Sequence, residues 1–200
     1  MTHQQTSVQT RRRQELIEAA IAVIATAGIA AASIDRIVAK AGQSKGSALY
    51  HIQNKQKLYE MVVAYVYADA AQNIMAAIAG QPTPAAKIET YIRANLRYII
   101  EHPQPIVAVQ KIVTEKPAPT GVSVDQATLA LQKLLQLAQA DGEVRSDVDS
   151  HFTAVLFRQA IDAASYYIAA NPKADLDAYA DSFVNIYMHA IKTSNRRHHA

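Results

Sequence analysis

Apolar residues recur at three- and four-residue intervals along nearly the whole of this 200-residue chain, and Gly, Pro and Asn punctuate them. That spacing lines one face of an α-helix, and no stretch shows the two-residue alternation of a strand, so the predicted fold is all-α. Leu16, Ile17, Ala20, Ile21, Val23 and Ile24 give the inward stripe of a helix over 8–27, ended by Gly28. Short helices follow over 34–41 and 45–51. Asn54 is placed to cap a long helix over 55–79 whose stripe is Leu58, Met61, Val62, Tyr65 and Val66. Gly80-Gln81-Pro82-Thr83-Pro84 stops it. Helices over 85–101 and, after His102-Pro103, over 104–115 lead to a loop at Lys116–Gly121. The pattern resumes over 123–141, turns at Asp141-Gly142, runs over 148–170, breaks at Asn171-Pro172 and ends over 175–193. Nine helices are predicted, with no internal repeat.

Half of the residues are hydrophobic, enough for a full core without staples. With no Cys there is neither disulfide nor thiolate metal site. No apolar run approaches the roughly 18–20 residues of a membrane span, and Met1–Thr10 lacks the apolar core of a signal peptide, so a soluble, cytoplasmic protein without membrane association is expected. Enzyme chemistry finds no support. The sequence has no Gly-rich phosphate loop, no G-x-S-x-G elbow and no H-E-x-x-H pair, and His102, His151 and His189 stand alone. No catalytic residue, metal or cofactor is expected, and His198-His199 reads as a tail.

Ser33 to Leu58 is written as two short helices around a tight turn, followed at once by a third helix start. This is the layout of a helix-turn-helix reader of double-stranded DNA. Ser33 and Ser44 are N-caps, Ile34, Ile37 and Val38 face inward, and Gly42 supplies the left-handed turn. The second helix carries Lys45, Ser47, Tyr50 and His51, able to hydrogen-bond a phosphate or base edge, while Ala48, Leu49 and Ile52 are expected to hold it against the core. Ser44, Gly46 and Ser47 are small enough to let its N-terminus approach the duplex. Charge agrees with this placement. Residues 1–60 hold eight Lys and Arg against four acids, a balance of +4, and residues 61–200 hold twelve against thirteen, a balance of −1. A positive field concentrated on one segment suits phosphate binding. Arg11–Arg13, near the start of the first helix of the same domain, are a candidate for touching DNA, the alternative being a solvated face.

Ala19-Ala20, Gly28, Ser33, Ile37, Ala41-Gly42, Ser44-Lys45-Gly46, His51, Lys55 and Leu58 stand in the order and spacing of one family. Over roughly residues 10–60 the chain resembles the TetR family of bacterial transcriptional regulators, and elsewhere it is similar only in helix layout. Val38, Gln43, Leu49 and Ile52 depart from that family's usual residues, with Tyr50 one position beyond a commonly aromatic site. The resemblance implies a sequence-specific DNA-binding regulator, a repressor, with a helix-turn-helix domain over 1–54 and an effector-binding and dimerisation domain over 55–200. It implies DNA contacts at Ser33, Arg36, Gln43, Ser44, Lys45, Gly46, Ser47, Tyr50, His51 and Lys55, with Lys55 in the position of a phosphate clamp.

The implied assembly is a homodimer reading a palindromic operator with two recognition helices about one DNA turn apart. Apolar surface on the last two helices, including Phe152, Leu156, Tyr179, Phe183 and Tyr187, is the expected interface. A small-molecule effector is expected near Tyr65, Tyr91, Tyr98, Gln110, Phe157 and Ile161, with Arg93, Arg97 and Arg158 as further polar handles. The expected mechanism is a shift of helix 55–79 by a ligand beside helix 104–115. The competing reading is a helical small-molecule-binding or protein-interaction module that does not read DNA, for which a basic N-terminal third has no use. An activator would share the same DNA chemistry.

Overall fold

The structure, a computed structural model, describes residues 2–115, 123–171 and 173–193. The predicted loop at Lys116–Gly121 and the tail His198-His199 lie outside them. Nine helices are present among the described residues: α1 Thr2–Ala31, α2 Ile34–Lys40, α3 Lys45–Ile52, α4 Lys55–Ala79, α5 Pro84–Glu101, α6 Pro103–Glu115, α7 Ser123–Ala140, α8 Ser150–Ala170 and α9 Leu176–Ile191. Punctuation sets most of their ends as expected, while α1 begins at Thr2, six residues before the predicted start. Asn54 Oδ1 accepts from Lys57 N at 2.8 Å at the start of α4, and Pro84 opens α5, where its missing N–H is no loss. The one strand-like feature among the described residues is an isolated bridge between Val144 and Lys192.

The helices form two compact units. The first holds the described residues up to Asp69 together with His102–Glu115, and the second holds Ala70–Glu101 and the described residues from 123 onward. Contacts thus divide the chain differently from a boundary at 54/55: α4 spans the division, and α6 joins the N-terminal helices.

In the first unit α1 packs against α2, α3 and α6. Its stripe of Leu16, Ile17, Ala20, Ile21, Val23 and Ile24 is buried, with Ile37, Val38, Ala48, Ile52 and Leu58. Gly28, at φ 80° and ψ 171°, breaks α1 where the sequence places its end, and the last residues wind on for less than a turn. Two lysines serve carbonyls around this break: Lys111 Nζ of α6 donates to Ala25 O at 2.9 Å and Ile24 O at 3.4 Å, and Lys55 Nζ donates to Ile29 O at 3.2 Å. A cation at a helix C-terminus satisfies orphan acceptors and meets the negative end of the dipole. Lys111→Met is therefore expected to lower the stability of the fold by about 0.5–2 kcal/mol in urea denaturation; an unchanged midpoint would show that the contact contributes nothing.

In the second unit α5 packs against α7, α8 and α9, and α7 against α8. Glu143 Oε2 accepts from Ala85 N at 2.8 Å, so the turn after α7 caps the start of α5. Asp149 and Asp175 cap α8 and α9 by accepting from Phe152 N at 2.8 Å and Ala178 N at 2.9 Å.

One composition-based expectation is corrected. Val8–Ala31 and Lys55–Ala79 do reach the length and mean hydropathy of a membrane span, 1.5 and 1.3. Polar residues scattered through both hide this from a search for unbroken apolar runs. Their apolar stripes form part of the core just described.

Candidate nucleic-acid interface

The helix-turn-helix is built by its turn. After α2, Gln43 N donates to Val38 O at 3.1 Å and Gly42 N to Ala39 O at 3.2 Å, the paired closing bonds of a Schellman end, with Gly42 at φ 65°. Ser33 Oγ accepts from Arg36 N at 3.2 Å and Ser44 Oγ from Ser47 N at 3.3 Å, so both predicted N-caps are formed. Ala48 and Ile52 anchor α3 inward. At 100° per residue, Gly46 and Tyr50 lie farthest from that stripe, flanked by Leu49 and Ser47.

Tyr50 is 75% exposed, its ring edge-on to the half-buried His51 at 5.3 Å. A Cβ at Gly46 would meet no heavy atom within 4 Å. Packing within the chain therefore does not require a glycine at Gly46. Leu49 corrects the expectation from sequence: it is 38% exposed and does not join Ala48 and Ile52 in the core.

The predicted polar contacts fall into two groups. Ser33, Arg36, Ser44, Lys45, Gly46 and Tyr50 are exposed on the surface of α2 and α3, with Ser47 and His51 half-buried beside them. Gln43 and Lys55 point elsewhere. Gln43 Nε2 donates to Arg12 O at 2.9 Å and Glu15 Oε2 at 3.0 Å, so its amide ties the turn to α1. The polar Gln where an apolar residue is usual is explained by that tie. Lys55 is half-buried, with Nζ on Ile29 O and 5.6 Å from the centroid of the Tyr59 ring, so its ammonium lies at the end of α1.

Of two further participants, Asp35 escaped the sequence reading of the site, whereas Arg12 belongs to a run that was a candidate for touching DNA. Arg12 Nη1 donates to Ser47 Oγ at 3.2 Å, bringing one guanidinium of the Arg11–Arg13 run onto α3. Asp35 Oδ1 holds Lys45 Nζ at 2.7 Å. The arginine run was a visible signal; the pairing of Asp35 with Lys45 depends on the crossing of α2 and α3 and has no local one.

The predicted effector residues divide between the two units. Tyr65 lies in the first unit, in a groove of about 490 Å³ between α1 and α4 that also involves Arg13, Ile17, Lys57, Glu60 and Met61. Gln110 is half-buried on α6 in the same unit. Tyr91, Tyr98, Phe157 and Ile161 are buried in the second unit on α5 and α8. There Arg158, 6% exposed, donates from Nη1 to Tyr91 OH at 3.2 Å and Asn95 Oδ1 at 3.0 Å, and from Nη2 to Asp162 Oδ1 at 2.6 Å. Burial pushes the Asp162 carboxyl up, against the opposing pull of the Arg158 charge.

Of the predicted interface residues, Phe152 and Leu156 are 66% and 62% exposed. Tyr179 and Tyr187 are half-buried, and Phe183 is buried within one chain, stacked on Tyr187 at 4.5 Å. Phe183 is thus core, which removes it from the expected interface; Ile186, 67% exposed, is available instead.

Residues 16–62 match the family described as bacterial regulatory proteins, tetR family. The fold is similar to that of the fatty acid degradation regulator FadR from Bacillus halodurans, at 16% identity and a TM-score of 0.82 over 94% of this chain and 97% of that one. It is also similar to the ketosteroid transcriptional regulator KstR2 of Mycobacterium tuberculosis, at 17% identity and a TM-score of 0.71 over 92% of this chain and 96% of that one. A third similar structure is AibR in complex with isovaleryl coenzyme A and operator DNA, at 18% identity and a TM-score of 0.72 over 88% and 97% of the two chains. No curated protein sequence matches the chain.

Proposed function

We propose that this chain, whose residues 16–62 match the tetR family of bacterial regulatory proteins, is a DNA-binding transcriptional regulator of that kind, a cytoplasmic homodimeric repressor whose affinity for a palindromic operator is changed by a small-molecule effector. The observation that carries the DNA half of this reading is α3: anchored by Ala48 and Ile52, it presents Tyr50 and an unobstructed Gly46 outward, with an exposed Lys45 in its first turn and Arg12 bonded to Ser47. Ser33, Ser44 and Ser47 at two helix N-termini suit phosphate, with Arg36 and His51 flanking. Gln43 and Lys55 act indirectly, by holding the turn and α1 in place.

The effector is received in the second unit, where Tyr91, Tyr98, Phe157 and Ile161 are buried on α5 and α8, the helices that carry the buried Arg158 cluster; Tyr65 and Gln110 belong to the first unit. An apolar compound carrying one polar group fits that lining. AibR, solved with isovaleryl coenzyme A and operator DNA, combines both kinds of binding in a similar fold. The bond from Lys111 to the α1 carbonyls gives α6 a direct hold on the DNA-reading helices, so a displacement of α6 would reach α1. The dimer forms through Phe152, Leu156 and Ile186 with the edges of Tyr179 and Tyr187.

Lys45→Ala and Tyr50→Ala test the recognition helix. Each is expected to weaken operator binding by about 1–3 kcal/mol in fluorescence anisotropy while leaving the thermal midpoint and the sedimentation coefficient unchanged. Normal operator affinity in both variants would move recognition away from α3.

A further inference from the structure

Asp35 is the only acid between Glu18 and Glu60, a stretch that also holds Arg36, Lys40, Lys45, Lys55 and Lys57. It stands in the first turn of α2, on a surface that must receive a polyanion. Its carboxylate lies 2.7 Å from Lys45, the only Lys or Arg on α3. Both side chains are well exposed, 70% and 59%, so the pair adds little to stability. It changes instead what the ammonium can do.

We propose that Asp35 is a specificity-determining positioning residue that acts through Lys45, suppressing its attachment to any passing phosphate and reserving it for the operator. The proposal rests on the reading of α3 as the recognition helix. An unpaired lysine on this helix would release a counterion on every duplex and raise non-specific binding as much as specific binding. A paired one must leave a carboxylate that also repels the incoming phosphate. The exchange is favourable where two acceptors on a base edge, such as N7 and O6 of a guanine, take the ammonium in place of the carboxylate. Asp35 then lowers affinity everywhere but lowers it most where no base-edge array is offered.

The test compares native chain, D35N, D35E, K45M and the D35N/K45M double variant on the selected operator and on a scrambled duplex of equal length, across a salt series. D35N is expected to bind the scrambled duplex about 3–10-fold more tightly, with the slope of log affinity against log salt steeper by about one phosphate contact, and to show a smaller ratio of operator to scrambled affinity. D35E, which keeps the charge, is expected to retain the native ratio. In the K45M background, D35N is expected to leave the ratio unchanged. An unaltered ratio and slope in D35N overturn the inference, and so does an equal rise with and without Lys45, which would make Asp35 a simple repeller of phosphate. Absence of duplex binding by the native chain itself would overturn the regulator reading, and the inference with it; binding by the native chain with an inert Asp35 overturns the inference alone.

Discussion

Arg158→Met is expected to be strongly destabilising, lowering the free energy of unfolding by about 2–4 kcal/mol in urea denaturation. The guanidinium is buried and holds three partners on α5 and α8, with Nη1 shared between Tyr91 OH and Asn95 Oδ1 and Nη2 on Asp162. Methionine fills the space but leaves those groups without their donor, and Asp162 without its counter-charge. The figure is set below that for a fully buried broken pair because Asp162 keeps 43% of its side-chain surface. The penalty also has a pH dependence. Burial already holds the Asp162 carboxyl above its ordinary value, and Arg158 is what opposes the rise. A raised carboxyl contributes stability at acid pH that fades as pH climbs through its folded value. Without Arg158 that value climbs further, so the gap between variant and native chain is expected to be smallest in acid and to widen towards neutrality. A gap independent of pH would mean that Asp162 does not feel Arg158.

The second large effect concerns assembly. Leu156→Glu is expected to give a folded monomer by sedimentation velocity and to reduce operator affinity by about 10²–10⁴-fold, because a linked pair of half-site readers gains that much from effective concentration. Leu156 and Phe152 are four residues apart on the same face of α8 and both largely exposed in the single chain, so a charge there leaves the core intact. The same substitution at Phe183 would act on the core. A Leu156→Glu protein that still sediments as a dimer would place the interface elsewhere.

Most element boundaries were legible because they rest on residues with a local conformational reason. Gly28 and Gly42 adopt positive φ, Asn54 caps α4, and Pro84 and Pro103 begin helices. The recognition helix was legible for the same reason, from Ser44 as cap and Ala48 and Ile52 as inward pair. The destinations of side chains were harder to read. Leu49 sits 100° from Ala48, which is enough to move an apolar residue from core to surface. Gln43 and Lys55 are polar and near the DNA-facing helices, yet they turn towards α1, because acceptors at Arg12, Glu15 and Ile29 are offered by residues about thirty positions earlier. Long-range placement also hid the Arg158 cluster. Its link to Asp162 is an i,i+4 pair, whereas Asn95 and Tyr91 meet it only once α5 packs on α8. On α9, Phe183 and Ile186 read alike as apolar residues, and only the packing of Phe183 against Tyr187 separates core from surface.

The central claim, that α3 reads a specific sequence as one of a symmetric pair, is tested most directly by selecting bound duplexes from a random pool with the purified full-length chain and titrating the enriched sequence against salt. The account predicts a palindrome whose half-sites are about one helical turn apart, with log affinity falling steeply and linearly with log salt. Enrichment of no sequence, or of a single unrepeated half-site bound with the same affinity by Leu156→Glu, would contradict it.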